Sequence, residues 1–167
     1  MTRYEIVLRA RRALEESQES GGVIYALGKG GFKPGADVPW NDARGCDCSG
    51  FVAWCLGLNR HTDHPWYREV NGGWLETTAI VHDALGPFGM FDAIPLDEAR
   101  PADVIVYGDK DGHQGHVGLI VATNPEVEVI HCSSGNFKAT KNALASAGPD
   151  LWLKRGGIVA RCAMVDE

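Results

Sequence analysis

The chain has 167 residues, enough for one hydrophobic core, and its 44% hydrophobic and 23% charged content describe an ordinary soluble globular protein. A formal net charge of -6 argues against a nucleic-acid partner, since phosphate binding needs a basic face. No run approaches the length of a membrane span, and the 5 cysteines, an odd number, exclude a disulfide set that uses them all.

The N-terminal stretch MTRYEIVLRARRALEES carries charges every few positions and lacks the apolar segment of a secretory signal. The expectation is a chain made in the cytoplasm without one. Tyr4, Val7, Leu8 and Leu14 recur at helical spacing, which predicts an amphipathic helix over residues 3–20, stopped by Gly21 and Gly22. Residues 28–45 are rich in glycine and hold Pro34 and Pro39; they read as a long irregular loop of the kind that carries function. Asp47 then caps a helix whose apolar face is Phe51, Val52, Cys55 and Leu56, closed by Gly57. This helix is expected to be central and buried. Residues 58–100 hold a further helical pattern, WLETTAIVHDAL, among polar loops, and read as a long insertion within a single domain spanning 1–167.

After ARPAD the period changes. DVIVY, HVGLIVA and VEVIHC are short β-branched runs separated by turn-forming clusters. In GIVARCAM, alternation puts Ile158, Ala160, Cys162 and Met164 on one face. Helices first and an antiparallel sheet after predict an α+β domain. If TNPE closes a hairpin with Ala122 facing Val127, His131 falls opposite Gly118, one diagonal step from His116 and on the same face. Gly118 would leave room for the imidazole.

The cysteines sort by position. A helix N-terminus lowers a thiol's pKa through its free amides and dipole, and Cys48 sits in the first turn of the capped helix. Cys46 precedes the cap, while Cys55, Cys132 and Cys162 read as small core hydrophobes. A nucleophilic cysteine needs a base, usually histidine, and a third group to orient it. His61, His64, His82 and His113 fall in polar loops or on an exposed helix, which leaves the strand residues His116 and His131. A zinc site built on CDC is disfavoured, because Cys-x-Cys strains the chelate. The 5 tryptophans, Trp40 among them, read mainly as core or loop packing.

Taken together, DCSGFV opening a helix, RPADVIVY followed by HVGLIVA, and VIHCSS resemble the NlpC-type cell-wall cysteine peptidases of bacteria and their phages. The resemblance runs from about Tyr25 to about Ser134. It implies a papain-like peptidase core, with N-terminal helices packed on a central antiparallel β-sheet. It also implies Cys48 as nucleophile, His116 as general base and His131 as the residue orienting the imidazole. By the same resemblance Tyr25 is a rim tyrosine near the oxyanion, Asp47 and Ser49 hold the free amine of a short stem peptide, and Asp103 is a structural acid. The implied activity is hydrolysis of peptidoglycan stem peptides at the γ-D-glutamyl to diamino-acid bond, with no cofactor or metal. An N-acetylmuramoyl-L-alanine amidase, an acyltransferase and a catalytically quiet wall-binding module are the alternatives. Stem peptides or muropeptides, and an inhibitor or immunity protein, are the expected partners, reached through a secretion system, a phage particle or muropeptide recycling. Lys29 interrupting the family's paired glycines, the long loop Gly30–Gly45 and the extra thiol Cys46 depart from the family pattern.

Overall fold

The structure, a computed structural model, describes residues 1–166. Helix α1 (Arg3–Glu19) begins at a capping box in which Thr2 and Glu5 satisfy each other's backbone amides. Its buried stripe is Ile6, Ala10, Ala13 and Ser17, not the expected Tyr4, Val7, Leu8 and Leu14. Tyr4 is exposed, and Val7 and Leu14 only flank the core. Ile6, Ala10 and Ala13 join the main core, where α1 meets α2 and β5.

Strands β1 (Ile24–Tyr25) and β2 (Gly45–Cys46) pair in parallel and bracket an irregular segment, as expected for this glycine-rich stretch. Helix α2 (Cys48–Cys55) is buried along its whole length, with Asp47 as its cap and Gly57 in the left-handed conformation just past its end. Then come α3 (Pro65–Asn71), α4 (Thr77–Leu85), β3 (Phe91–Ile94), β4 (Val104–Tyr107), β5 (His116–Ala122) and β6 (Glu128–Cys132). The chain ends with α5 (Ser134–Thr140), β7 (Leu144–Ala147), α6 (Asp150–Leu153) and β8 (Ile158–Cys162). Of these, α3, β3, α5, β7 and α6 were not expected from the residue pattern.

The six larger strands form one antiparallel sheet in the order β3-β8-β4-β5-β6-β7, so the architecture is α+β. Strand β8 returns from the C-terminus to lie between β3 and β4. Residues 58–100 therefore supply an edge strand of the central sheet. Val117, Leu119 and Val121 of β5 join the main core with α1, α2 and α4. The opposite face, with Ile105, Ile120, Val129 and Val159, packs a second core around Trp152 of α6. Ile158, Ala160 and Cys162 do share one face, but Met164 lies beyond β8 and is exposed.

At the entry to β4 the fully buried carboxylate of Asp103 receives Arg3 at 2.9 Å, Arg161 at 2.8 and 3.1 Å, and the Arg100 amide at 2.8 Å. One side chain thus ties α1, β4 and β8 together. Removing the shared carboxylate takes away the buried acceptor that joins these segments. Asp103→Ala is expected to lower unfolding stability by about 3 kcal/mol, read as a shifted chemical-denaturation midpoint. An unmoved midpoint would show that Asp103 does not hold these elements together.

Candidate active site

The β5–β6 hairpin places the two strand histidines. Leu119 pairs with Ile130 and Ile120 with Val129, which is the expected register. The turn differs: Ala122 faces Glu128, not Val127, and a bulge between Ile120 and Ala122 absorbs the extra residue. Below the bulge the faces are unchanged. His116 Nε2 lies 2.7 Å from His131 Nδ1, and both rings are buried.

Trp152 of α6 covers this pair. Its ring stacks on His116 at 5.3 Å and 14° and meets His131 edge-on at 5.1 Å. A Cβ at Gly118 would come within 2.5 Å of Val129 Cγ1 and 2.8 Å of the Trp152 ring. The glycine thus clears space for the indole, not for the imidazole as first expected. On the far side Asn136 of α5 puts Nδ2 3.3 Å from His131 Nε2 and 3.4 Å from the Ala143 carbonyl. The result is a buried line of polar groups from His116 through His131 to Asn136.

Cys48 is the first residue of α2, and Asp47 Oδ1 caps the helix by accepting from the Gly50 amide at 2.8 Å. The Ser49 and Val117 amides lie near enough to the Cys48 sulfur to favour its thiolate. Val117 follows His116 in β5, so the thiol lies by the strand end that carries the imidazole. Among the described residues no hydrogen bond joins Cys48 directly to His116; such bonds commonly tighten only when substrate binds. Tyr25, at the end of β1, lies beside the thiol, and burial followed by the neighbouring Cys48 pushes its phenol well above the ordinary value. It stays a neutral hydrogen-bond donor.

Burial dominates the protonation of the site. It pushes the Cys48 thiol up to about 12, helped by the Asp47 charge and opposed by the Val117 and Ser49 amides and Arg60. The lowering expected from the helix start is outweighed, because the sulfur is almost sealed from water. Burial also takes His116 down to about 3, with His131 and Arg155 adding to the effect, and His131 down to about 4. At neutral pH the resting pair is a thiol and a neutral imidazole.

Asp47 and Ser49 are not free to hold an amine. Arg60 reaches both Asp47 oxygens, at 2.9 and 3.1 Å, and Ser49 Oγ at 3.1 Å. Asp47 Oδ2 also accepts from the Gly28 amide at 2.6 Å. The carboxylate's acceptor sites are filled. The Arg60 guanidinium lies against two aromatic rings, 5.0 Å from that of Trp74 and 5.5 Å from that of Phe32. Gly50 makes this packing possible, since a Cβ there would meet Arg60 and the Lys29 and Gly30 carbonyls within 3 Å.

A cleft of about 200 Å³ opens over the thiol, lined by Tyr25, Cys48, Trp74, Glu76, Asp109 and Gly115 among others. Trp40 lies instead in a separate cavity of the glycine-rich loop. The other four cysteines are buried; Cys46 Sγ is packed so tightly that a Cβ on Gly30 would sit 2.5 Å from it. Residue pattern missed Arg60, Trp152 and Asn136. Only for Trp152 was there a hint, as an isolated tryptophan in a short polar segment between sheet strands.

No protein-family profile and no curated protein matches this chain. Among solved structures it is similar to NlpC1 from Trichomonas vaginalis, at 21% sequence identity and a TM-score of 0.42. The match covers 84% of this chain and 39% of that one, so the chain spans well under half of that protein's length.

Two outcomes follow from the protonation states. An unfolded histidine titrates near 6.5 and these two are held far lower, so below pH 6.5 the unfolded chain binds more protons than the fold. Stability should be complete above pH 6.5 and decline as pH falls toward 4, with a smaller decline in His131→Asn, as melting temperatures across that range would show. An equal decline in both proteins would mean that His131 is not held neutral. Alkylation of Cys48 by iodoacetamide should be slow at pH 7 and climb about tenfold per pH unit toward pH 10 without a plateau, following the thiolate fraction. A plateau reached by pH 7 would reveal a resting thiolate.

Proposed function

We propose that this protein is a cysteine hydrolase that cleaves an amide bond in peptidoglycan stem peptides, on a papain-like core. The observation that carries the reading is the buried His116–His131 pair at a strand end beside a thiol on a capped helix start. The stem-peptide assignment draws on the motif resemblance of DCSGFV and HVGLIVA.

The chemistry runs through these side chains in two halves. As the sulfur attacks the scissile carbonyl carbon, the Cys48 proton passes to Nδ1 of His116. The backbone amide at the start of α2 and the Tyr25 hydroxyl receive the oxyanion. The imidazolium then protonates the leaving amine, the C–N bond breaks and a thioester remains on Cys48. His116 next deprotonates a water, which attacks the thioester and releases the acid and the free thiol.

For Nδ1 to take the proton, His116 must donate from Nε2 to His131 Nδ1, and His131 from Nε2 to Asn136. That requires the Asn136 amide to turn its oxygen to the ring. Ala143 O loses only a 3.4 Å contact in the exchange and keeps the Ser133 amide at 2.8 Å. Asn136 therefore positions His131 much as His131 positions His116. With Asp47 closed off by Arg60, the acids that border the cleft without a salt-bridge partner among the described residues are Glu76, whose two oxygens cap α4 through the Thr78 and Ala79 amides, and the exposed Asp109, which is the better placed to meet a substrate amine. A peptide presenting a free amine on this side suits the excess of negative charge.

Purified sacculi incubated with the protein should release stem-peptide fragments identifiable by mass spectrometry. Cys48→Ala and His116→Ala should release none, and Cys46→Ser should remain active. His131→Ala should lower kcat on the order of a hundredfold with little change in KM, since a misoriented base matters mainly in the transition state. Release by Cys48→Ala at the wild-type rate would overturn the reading.

A further inference from the structure

Asp109 and Gln114, which line the thiol cleft, also line a larger neighbouring basin of about 670 Å³. Its character is different. Lys110, Lys154 and Arg155 line it together with His82 and His113, and its acids are Asp109 and Asp111. In a chain of net charge -6 this is a local reversal of sign. Among the described residues none of the three cations makes a salt bridge.

Arg155 is held in place although it is exposed. Trp152 is locked under the catalytic imidazole, and the turn after α6 hangs from it: the Arg155 and Gly157 amides both donate to the Trp152 carbonyl, at 3.0 and 2.9 Å. The Arg155 guanidinium lies 5.6 Å from the Tyr107 ring. Tyr107 pairs with His116 across β4 and β5, its ring 6.3 Å from the imidazole. Arg155 is near enough that its charge helps keep His116 neutral.

The direction of the reaction decides what this means. An imidazole that protonates the leaving amine has the leaving fragment on its own side of the thiol. Tyr107 and Arg155 are on that side, whereas Glu76 and the Asp47–Arg60 pair border the thiol cleft. We propose that the basin is a leaving-group subsite that takes a carboxylate on the residue just past the scissile amide, with Arg155 as the principal contact and Lys154 and Lys110 in support. Arg155 suits the role because a guanidinium offers a carboxylate two parallel hydrogen bonds. The proposal rests on the hydrolase reading above. It adds that the cleft is polarised, acidic where the amine end of the peptide enters and basic where the carboxylate end leaves.

The test compares L-Ala-γ-D-Glu-L-Lys bearing a free α-carboxylate on lysine with the same peptide as its α-carboxamide. Wild-type protein should show kcat/KM about tenfold or more higher for the carboxylate, the scale of a charge-assisted hydrogen bond. Arg155→Gln should lose that preference, cleaving the two peptides with equal kcat/KM, and Arg155→Lys should recover part of it. The preference should also shrink with added salt, because these cations are exposed. A preference unchanged in Arg155→Gln, or none in wild type, overturns the subsite. If wild type cleaves neither peptide, the hydrolase reading fails, and calorimetric binding to Cys48→Ala decides the subsite separately. Tighter binding of the carboxylate, abolished by adding Arg155→Gln, sustains it; equal binding of both peptides overturns it.

Discussion

Two imidazoles held 2.7 Å apart with almost no water around them are the constraint on which the rest of this structure depends. A buried polar pair is tolerated only when its remaining lone pairs and protons are satisfied. Much of the C-terminal half of the chain serves that need. The bulge corrects the hairpin so that both rings share a face, Gly118 admits the indole that covers them, and α5 brings Asn136 to the far nitrogen. The same dryness that sharpens the hydrogen bond also holds both rings neutral. In the proposed hydrolase the neutral imidazole is the thiol's proton acceptor, and a thiol that stays protonated reacts slowly with alkylating agents.

The second organising feature is the Asp47–Arg60 ion pair under the thiol. Both charges are buried, so their attraction must offset a large desolvation cost, and the helix amide of Gly50 and the Gly28 amide supply the additional hydrogen bonds that make this possible. The pair has a consequence for recognition. In the proposed hydrolase Asp47, already paired, offers no charge to a substrate, which leaves recognition to the other charged groups along the cleft. Acids are in excess around the thiol, and cations in the adjoining basin.

How much of this was legible in the residues depends on the range of the interaction. Local signals read well: Asp47 as a cap, Gly57 as a stop, the runs that became β4, β5, β6 and β8. The meeting of His116 and His131 was also readable, because a hairpin relates its residues by simple counting and the bulge fell on the turn side of the site. The failures are of another kind. Tyr4 and Leu8 fit a helical stripe as well as Ile6 and Ala10 do, and only the tertiary contacts of α1 decide which set is buried. Arg60 lies in a polar loop whose sequence carries no periodicity, and nothing local marks it as the partner of a residue thirteen positions earlier. Trp152 and Asn136 reach the site only because α5, β7 and α6 fold back on the sheet. The thiol's pKa was misjudged because a helix start was legible and its burial was not.

The most direct measurement is a rapid acid quench of the protein mixed with a stem peptide, followed by mass spectrometry of the intact chain and its proteolytic fragments. A cysteine hydrolase of the proposed kind passes through a thioester, so the chain should gain the mass of the acyl fragment, localised to the peptide containing Cys48 and absent from Cys48→Ala. Since that peptide also holds Cys46, fragmentation must place the adduct on the second cysteine. Turnover without any adduct on Cys48, or an adduct on Cys46 that survives in Cys48→Ala, would contradict the assignment of the nucleophile.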